Sequence, residues 1–181
     1  RLEIRQPDRD PLSLDVDAMN FRRDERHRGF DATVRLPARL GNHLQVAASQ
    51  RRATGSTPYP WQFFVEGNGL DADGLSALWP EGPLQFAAGS VDLSLWLDLA
   101  AEGIRRATAN FVMREMVPAA APEERPVSAR GRVEFARRDR EWLVAADEFV
   151  LETMDGDWPQ ASLTLRVADE GPHMRRIEAS A

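Results

Sequence analysis

The chain has 181 residues, a net charge of −6 at pH 7 and an apolar fraction of 43%. This length suffices for one domain with a sizeable core, and the acidic balance argues against nucleic-acid binding, which needs a concentrated basic surface. The chain has no cysteine, which excludes disulfides, thiolate zinc sites and cysteine nucleophiles. It shows no signal peptide and no apolar run of the roughly 18 residues that span a membrane. Because the chain begins at Arg1 within a strand-like pattern, we expect it to be a piece of a longer protein.

Alternating apolar residues predict strands along the first third of the chain. A turn-like segment at 6–11 comes before them, a charged loop is expected at 22–29, a turn at 40–42, and a proline-containing loop at 51–60. The predicted strands cover residues 12–21, 30–36, 44–48 and 61–65.

The segment 70–79 is predicted as a short helix. Asp71 is a suitable N-cap, the leucines and the tryptophan are helically spaced, and Pro80 and Gly82 end the pattern. Gly74 lowers helix propensity. We therefore expect a helix of about two turns, stabilised by packing against one end of a sheet.

Residues 90–99 carry the longest alternating pattern in the chain. The apolar residues have odd numbers, and Asp92, Ser94, Trp96 and Asp98 lie between them, which predicts one strand of roughly 33 Å with a continuous aliphatic face. In a helix the leucines would be scattered around the axis. A tight connection at 101–103 leads into a second alternating run, so 85–99 and 104–116 are predicted to form a long hairpin.

The last third of the chain repeats the strand–turn pattern. A loop rich in alanine and proline at 118–126 leads into strands at 127–135, 142–151 and 163–167, and the phase of the second strand slips at Asp147–Glu148, which predicts a bulge. The predicted fold class is all-β with one short helix: a long antiparallel meander or roll of about ten strands. We assign residues 1–170 to a single domain and residues 171–181 to a weakly ordered tail.

The sequence shows no convergent set of catalytic groups. His27, His43 and His173 lie in a loop, beside a turn and in the tail, without metal-ligand spacing. The aspartates alternate with apolar residues and are typical of a solvated sheet face. No G-x-S-x-G or S-x-x-K motif is present. We predict neither enzymatic activity, nor a bound metal, nor a cofactor.

Two of the five tryptophans suggest an alternative function. Trp61, Trp79 and Trp142 are expected to anchor the core or its rim, whereas Trp96 faces away from the leucines and Trp158 lies in a turn. Exposed tryptophans could stack on sugar rings, although sheet tryptophans usually cover apolar neighbours. A β-sandwich that binds carbohydrate or protein is therefore an alternative, and a structural spacer of the cell envelope is another.

Three segments share their order and spacing with a known family. They are LPARLGNHLQVAAS at 36–49, the segment at 65–116, which contains LWP, AGSVDLSLWLDL and RRATANF, and the segment at 131–167, which ends in DGDWP and a closing strand. Together they resemble the central domain of the YhdP-type, AsmA-like proteins of Gram-negative envelopes. The resemblance covers residues 12–168, while the loops at 51–60 and 118–126 are longer than the family pattern suggests.

The resemblance implies a periplasmic domain of an inner-membrane-anchored protein that moves phospholipids between the inner and outer membranes. It implies a curled sheet with a hydrophobic groove, related to bridge-like lipid transfer proteins, and it supplies no catalytic residues. The implied partners are phospholipid acyl chains and flanking domains of the same chain, with membrane attachment through segments outside this sequence. Period-two patterning alone fits a groove and a closed sandwich core equally well. The candidate lipid-binding residues are Val91, Leu93, Leu95, Leu97, Leu99, Ala107, Ala109, Phe111 and Met113.

Overall fold

The computed structural model describes residues 2–4, 12–51, 59–78, 80, 85–138, 141–154, 156–171 and 174–180. Several predicted features lie outside these ranges: the turn at 6–11, loop residues 52–58, Trp79, Gly82 and His173. The helical elements are a 3-10 turn (Ala38–Leu40) and α1 (Ala72–Leu78). The strands are β1 (Leu2–Ile4), β2 (Leu12–Arg23), β3 (His27–Arg35), β4 (His43–Arg51), β5 (Trp61–Asp71), β6 (Phe86–Ala100), β7 (Gly103–Pro118), β8 (Val127–Arg138), β9 (Glu141–Thr153), β10 (Gly156–Asp157), β11 (Ala161–Gly171) and β12 (Met174–Ser180).

Over the described ranges, the strands form one antiparallel sheet whose order follows the chain. β10 pairs only with β9 and stands off this path. The sheet is not closed, because β1 and β12 lie at its two ends. The predicted all-β meander is therefore confirmed, with ten strands of at least seven residues and two short ones, β1 and β10. These strands do not build the two packed sheets of a sandwich.

The central hairpin is longer than the alternation predicts. β6 and β7 pair from Phe86↔Pro118 to Ala100↔Gly103, and the turn residue Gly103 has a φ of 112°. Glycine adopts this φ without the steric cost that other residues incur. The predicted hairpin is confirmed, and it forms the centre of the sheet.

The charged loop predicted at 22–29 is much shorter in the structure. β2 continues through Arg23, β3 begins at His27, and Arg23 pairs with Arg28. One oxygen of Asp24 accepts the backbone N–H groups of Arg26 and His27, each at 2.7 Å. This side-chain-to-backbone bonding closes a tight turn, so the flanking charged residues remain in the ladder. The same two bonds, that of Arg26 first, lower the pKa of Asp24.

The bulge predicted at Asp147–Glu148 is confirmed. Arg132 pairs with Asp147 whereas Arg130 pairs with Val150, and Glu148 has a φ of 55°. A bulge adds one residue to its strand, so it compensates for a one-residue slip in the alternation of apolar and polar side chains. The second half of β9 thus keeps its apolar residues on the same face as the first half.

Residues 174–180, part of the segment predicted to be a weakly ordered tail, form strand β12. They pair with β11 from Thr164↔Ser180 to Gly171↔Met174. Without β12, the backbone N–H and C=O groups on the edge of β11 away from β9 would have no strand partner. Pairing with β12 gives these groups their hydrogen bonds. The alternation after Gly171 is too brief to predict this strand.

Helix α1 packs on one end of the central hairpin, as predicted. Asp71 caps it, since its Oδ1 accepts the backbone N–H of Gly74 at 2.8 Å. Gly74 is required by packing, because a Cβ there would lie 1.8 Å from the backbone oxygen of Arg39. The helix thus lies directly against the 3-10 turn.

The buried core is concentrated beneath this helix. Leu70, Ala72, Val91 and Met116 form one buried cluster. A second cluster, formed by Leu14, Ala32 and Val34, shares the half-buried Leu36 and Leu44 with the first. Both clusters lie on one face of the sheet and cover the end of that face nearest α1.

Asp92 links three strands from the opposite face. It pairs with the Arg114 guanidinium at 2.7 Å and accepts the backbone N–H of Gly69 at 2.7 Å. These interactions, that of Arg114 first, lower the pKa of Asp92. Because the lowered pKa belongs to the folded state, the carboxylate stabilises the fold above its unfolded pKa, and this contribution is lost as the pH falls through the folded value.

We therefore expect Asp92→Asn to reduce the free energy of unfolding at pH 7 and to leave it nearly unchanged in acid. Urea unfolding of both proteins between pH 7 and pH 2 measures the difference. A gap between wild type and Asp92→Asn that stays constant over this range would contradict the assignment.

Candidate functional site

Cross-strand pairing unites the apolar residues of nine strands into one face, called here the apolar face. Directly paired residues share a face of the sheet. The row through Leu95 is Met19, Ala32, Val46, Val65, Leu95, Ala109, Val133, Ala146 and Leu163. The row through Leu97 is Phe21, Phe30, Ala48, Phe63, Leu97, Ala107, Phe135, Val144 and Leu165. Neither row contains a polar side chain, and each extends about 38 Å across the strands at the usual spacing.

The nine candidate residues from β6 and β7 lie together on this face. Val91 pairs with Met113, Leu93 with Phe111, Leu95 with Ala109 and Leu97 with Ala107, while Leu99 pairs with Ile104. The structure thus brings these residues together as predicted. It adds the corresponding residues of seven more strands, which were recognisable as alternating patterns but could not be aligned without the register.

Exposure increases along β6 from one end of the apolar face to the other. Val91 is 8% exposed and lies in the buried cluster, against which Leu93 and Met113 pack. Leu95 and Leu97 are half-buried, and Leu99 is 37% exposed. Val91 is therefore a core residue, unavailable to a ligand, whereas the surface from Leu95 to Leu99 is accessible.

Small residues make room beside the leucines. Ala109 and Ala107 stand opposite Leu95 and Leu97, and Gly131 stands opposite Phe111. A Cβ on Gly131 would lie 3.3 Å from the Phe111 ring. The Phe111 ring thus lies over Gly131, and on β7 the two alanines put small side chains opposite the leucines of β6.

Arginines stacked on aromatic rings stand on the apolar face at the Leu99 end. The Arg28 guanidinium carbon lies 5.0 Å from the ring centre of Trp61, which pairs with Leu99. Arg28 also donates to Oε1 of the buried Gln50 at 2.8 Å. Arginine stems and tryptophan rings combine apolar bodies with polar ends, which suits the boundary between an apolar surface and water.

A second pair of this kind stands on the other side of the central hairpin. The Arg137 guanidinium carbon lies 5.0 Å from the ring centre of Trp142, and that ring contacts Phe135 at 4.5 Å between centres. We call Arg28, Trp61, Arg137 and Trp142 the arginine rim. The open end of the apolar face is therefore bordered by cations on both sides.

The opposite face of the sheet is polar, as the aspartates predict. Cross-strand ion pairs join Arg114 to Asp92 and Arg35 to Asp17, the latter at 3.0 Å. Trp96 lies on this face and pairs with Phe64 and Thr108, which confirms that it points away from the leucines.

The histidines of the described ranges are surface residues. His27 and His43 are exposed and approach Asp24 and Asp17 at 3.7 and 3.9 Å. The described part of the chain contains no group of three or more His, Cys, Asp or Glu residues that could hold a metal ion. Among the described residues, no helix is long and apolar enough to cross a membrane.

Comparison with known proteins gives no relative for this chain: no family model, curated protein or solved structure matches it. The AsmA-like resemblance therefore remains a prediction from the three segments that carry it.

Proposed function

We propose that this chain is a non-enzymatic lipid-handling domain whose apolar face shields the acyl chains of phospholipids. The supporting observation is the exposure gradient on β6. Within the described residues, α1 packs on the Val91 end, while Leu99 at the other end is 37% exposed. Contiguous apolar surface left open on a folded domain marks a binding surface.

The apolar face offers enough burial for an acyl chain. The β6 segment from Leu93 to Leu99 spans about 20 Å. Each methylene removed from water contributes about 0.8 kcal/mol, so eight methylenes would contribute on the order of 6 kcal/mol before the cost of ordering the chain. This binding free energy requires no directional contacts, which fits the absence of polar side chains from the two central rows of the apolar face.

The arginine rim suits the other end of a phospholipid. Arg28 and Arg137 place their guanidinium groups beside the open end of the apolar face. Guanidinium recognises phosphate oxygens with charge-assisted hydrogen bonds. A phospholipid could lie with an acyl chain along β6 and its phosphate toward the Leu99 end. The acyl chain would then contact the apolar face, and the phosphate would contact the arginine rim.

The AsmA-like resemblance supports a location of this activity in the Gram-negative envelope. On that reading the chain is a periplasmic segment of an inner-membrane-anchored protein, and flanking segments of the same protein continue the groove. The phospholipid would pass between the inner and outer membranes along the apolar faces. Such passive shielding requires no catalytic residue and no cofactor.

Delipidated protein titrated with a fluorescent fatty acid tests this proposal. We expect saturable binding with a blue shift of the probe's fluorescence emission. Organic extracts of protein that has not been delipidated should contain co-purified phospholipid. Competition by unlabelled phospholipid should displace the probe. Folded, delipidated protein that takes up neither the fatty acid nor a fluorescent phospholipid would overturn the proposal.

A further inference from the structure

The polar face carries a cleft that the lipid proposal does not use. It extends over β2 to β7 and has a volume of about 670 Å³, within the range of small-molecule sites. We call it the Trp96 cleft. Its principal side chains are Trp96, Phe64, Gln62, Asp98, Arg106 and Thr108.

The floor of the Trp96 cleft is aromatic. Trp96 is 43% exposed although it packs against Phe64, with 5.1 Å between ring centres. Phe64 thus supports the indole from the neighbouring strand while part of the indole remains in water. A supported, exposed indole is a ready stacking surface, because its orientation is set before a ligand arrives.

Hydrogen-bonding groups stand beside this floor. Gln62 Nε2 lies 3.4 Å from Asp98 Oδ1, a long hydrogen bond that a better partner can replace. Asp98 is paired in register with Arg106, and Trp96 with Thr108. An amide, a carboxylate, a guanidinium and a hydroxyl are therefore gathered around one ring.

Charge in the Trp96 cleft is nearly balanced. Arg22 pairs with Asp31 at 3.0 Å, and Arg106 stands across from Asp98. Arg28 also lines the cleft but directs its guanidinium to Gln50 and Trp61 on the other face. A nucleic acid would need an excess of cations here. Balanced charge favours a neutral, polar ligand.

We propose that the Trp96 cleft binds a neutral pyranose sugar of a glycan. A pyranose has a face of C–H groups, which stacks on indole, and an edge of hydroxyls, which both donate and accept hydrogen bonds. The stacked ring would present its hydroxyls to Asp98, Gln62 and Arg106. The site is independent of the apolar face, because Trp96 and Leu97 point to opposite sides of the sheet.

Calorimetric titration with triacetylchitotriose, cellotriose and maltotriose tests the assignment. We expect at least one trisaccharide to bind with a millimolar or lower dissociation constant, as is usual for a shallow site with few contacts. Trp96→Ala should weaken that binding at least tenfold and Asp98→Asn severalfold. Trp158→Ala, which removes an exposed tryptophan outside the cleft, should leave it unchanged.

Circular dichroism and urea midpoints identify variants that are not folded, and Trp96→Phe, which keeps a ring on the floor, should retain part of the affinity. Two results would overturn the proposal. One is a folded wild-type protein that binds none of the three trisaccharides. The other is binding that Trp96→Ala and Asp98→Asn leave intact.

Discussion

Leu97→Asp is expected to lower the affinity for a fluorescent fatty acid at least tenfold. Leu97 lies at the centre of the row between Phe63 and Ala107, so a carboxylate there would have to be desolvated beneath the acyl chain. Desolvation of an unpaired charge costs several kcal/mol, and a tenfold loss requires only about 1.4 kcal/mol. The uptake assay with delipidated protein measures the effect directly.

Asn110→Asp is the matched control for this variant. Asn110 is exposed on the polar face of β7, next to Ala109 on the apolar face, so this substitution adds the same charge to the other side of the sheet. We expect it to leave fatty-acid binding unchanged. Leu99→Asp, at the more exposed end of the row, provides a second test if Leu97→Asp does not fold. Equal affinities for a folded Leu97→Asp or Leu99→Asp and for Asn110→Asp would contradict the proposed surface.

Gly74→Ala is expected to destabilise the fold by about 2 kcal/mol or more. Helix propensity favours alanine over glycine by about 1 kcal/mol. If propensity alone mattered, Gly74→Ala would therefore stabilise the fold. The added Cβ would instead lie 1.8 Å from the backbone oxygen of Arg39, and α1 would have to move away from the 3-10 turn. Overpacking of this kind costs about 1–3 kcal/mol, or more when the opposing atom is backbone.

Gly69→Ala is the comparison for Gly74→Ala, because it tests the cost of backbone strain without a steric clash. Gly69 has a φ of 60°, and a Cβ there would meet no atom within 4 Å. We expect a loss of only about 1 kcal/mol from the left-handed backbone. Urea unfolding of both variants measures the contrast. Stabilisation by Gly74→Ala would show that α1 is not held against Arg39.

Most of the long strands were predictable because each carries its own alternation, whereas β12 was not. Short-range signals also located the Asp71 cap and the Asp147–Glu148 bulge. These features depend on residues close together in the chain. The turn at Asp24 was missed, since the charged residues around it are equally typical of a longer loop. The decisive factor was that one carboxylate bonds two backbone N–H groups and thereby lets pairing continue to Arg23 and Arg28.

The extent of the candidate site could not be predicted, because it depends on register between distant strands. Shifting any strand by one residue would move its apolar set to the other face. Alternation therefore identified the leucines of β6 but not their alignment with Val46 or Val133. Trp96 was predicted to face away from the leucines, but the cleft around it was not, since Phe64 and Trp96 meet only through the pairing of β5 with β6.

In the proposed mode of binding, acyl chains contact the apolar face and no other surface of the sheet. Because the chain has no cysteine, a single introduced cysteine can be labelled uniquely. Ala109→Cys and Asn110→Cys, each carrying a bimane label, place the probe on opposite faces of β7. We predict that a nitroxide-labelled stearic acid quenches the label at 109 strongly and the label at 110 weakly. Equal quenching at both positions, or stronger quenching at 110, would contradict this mode of binding.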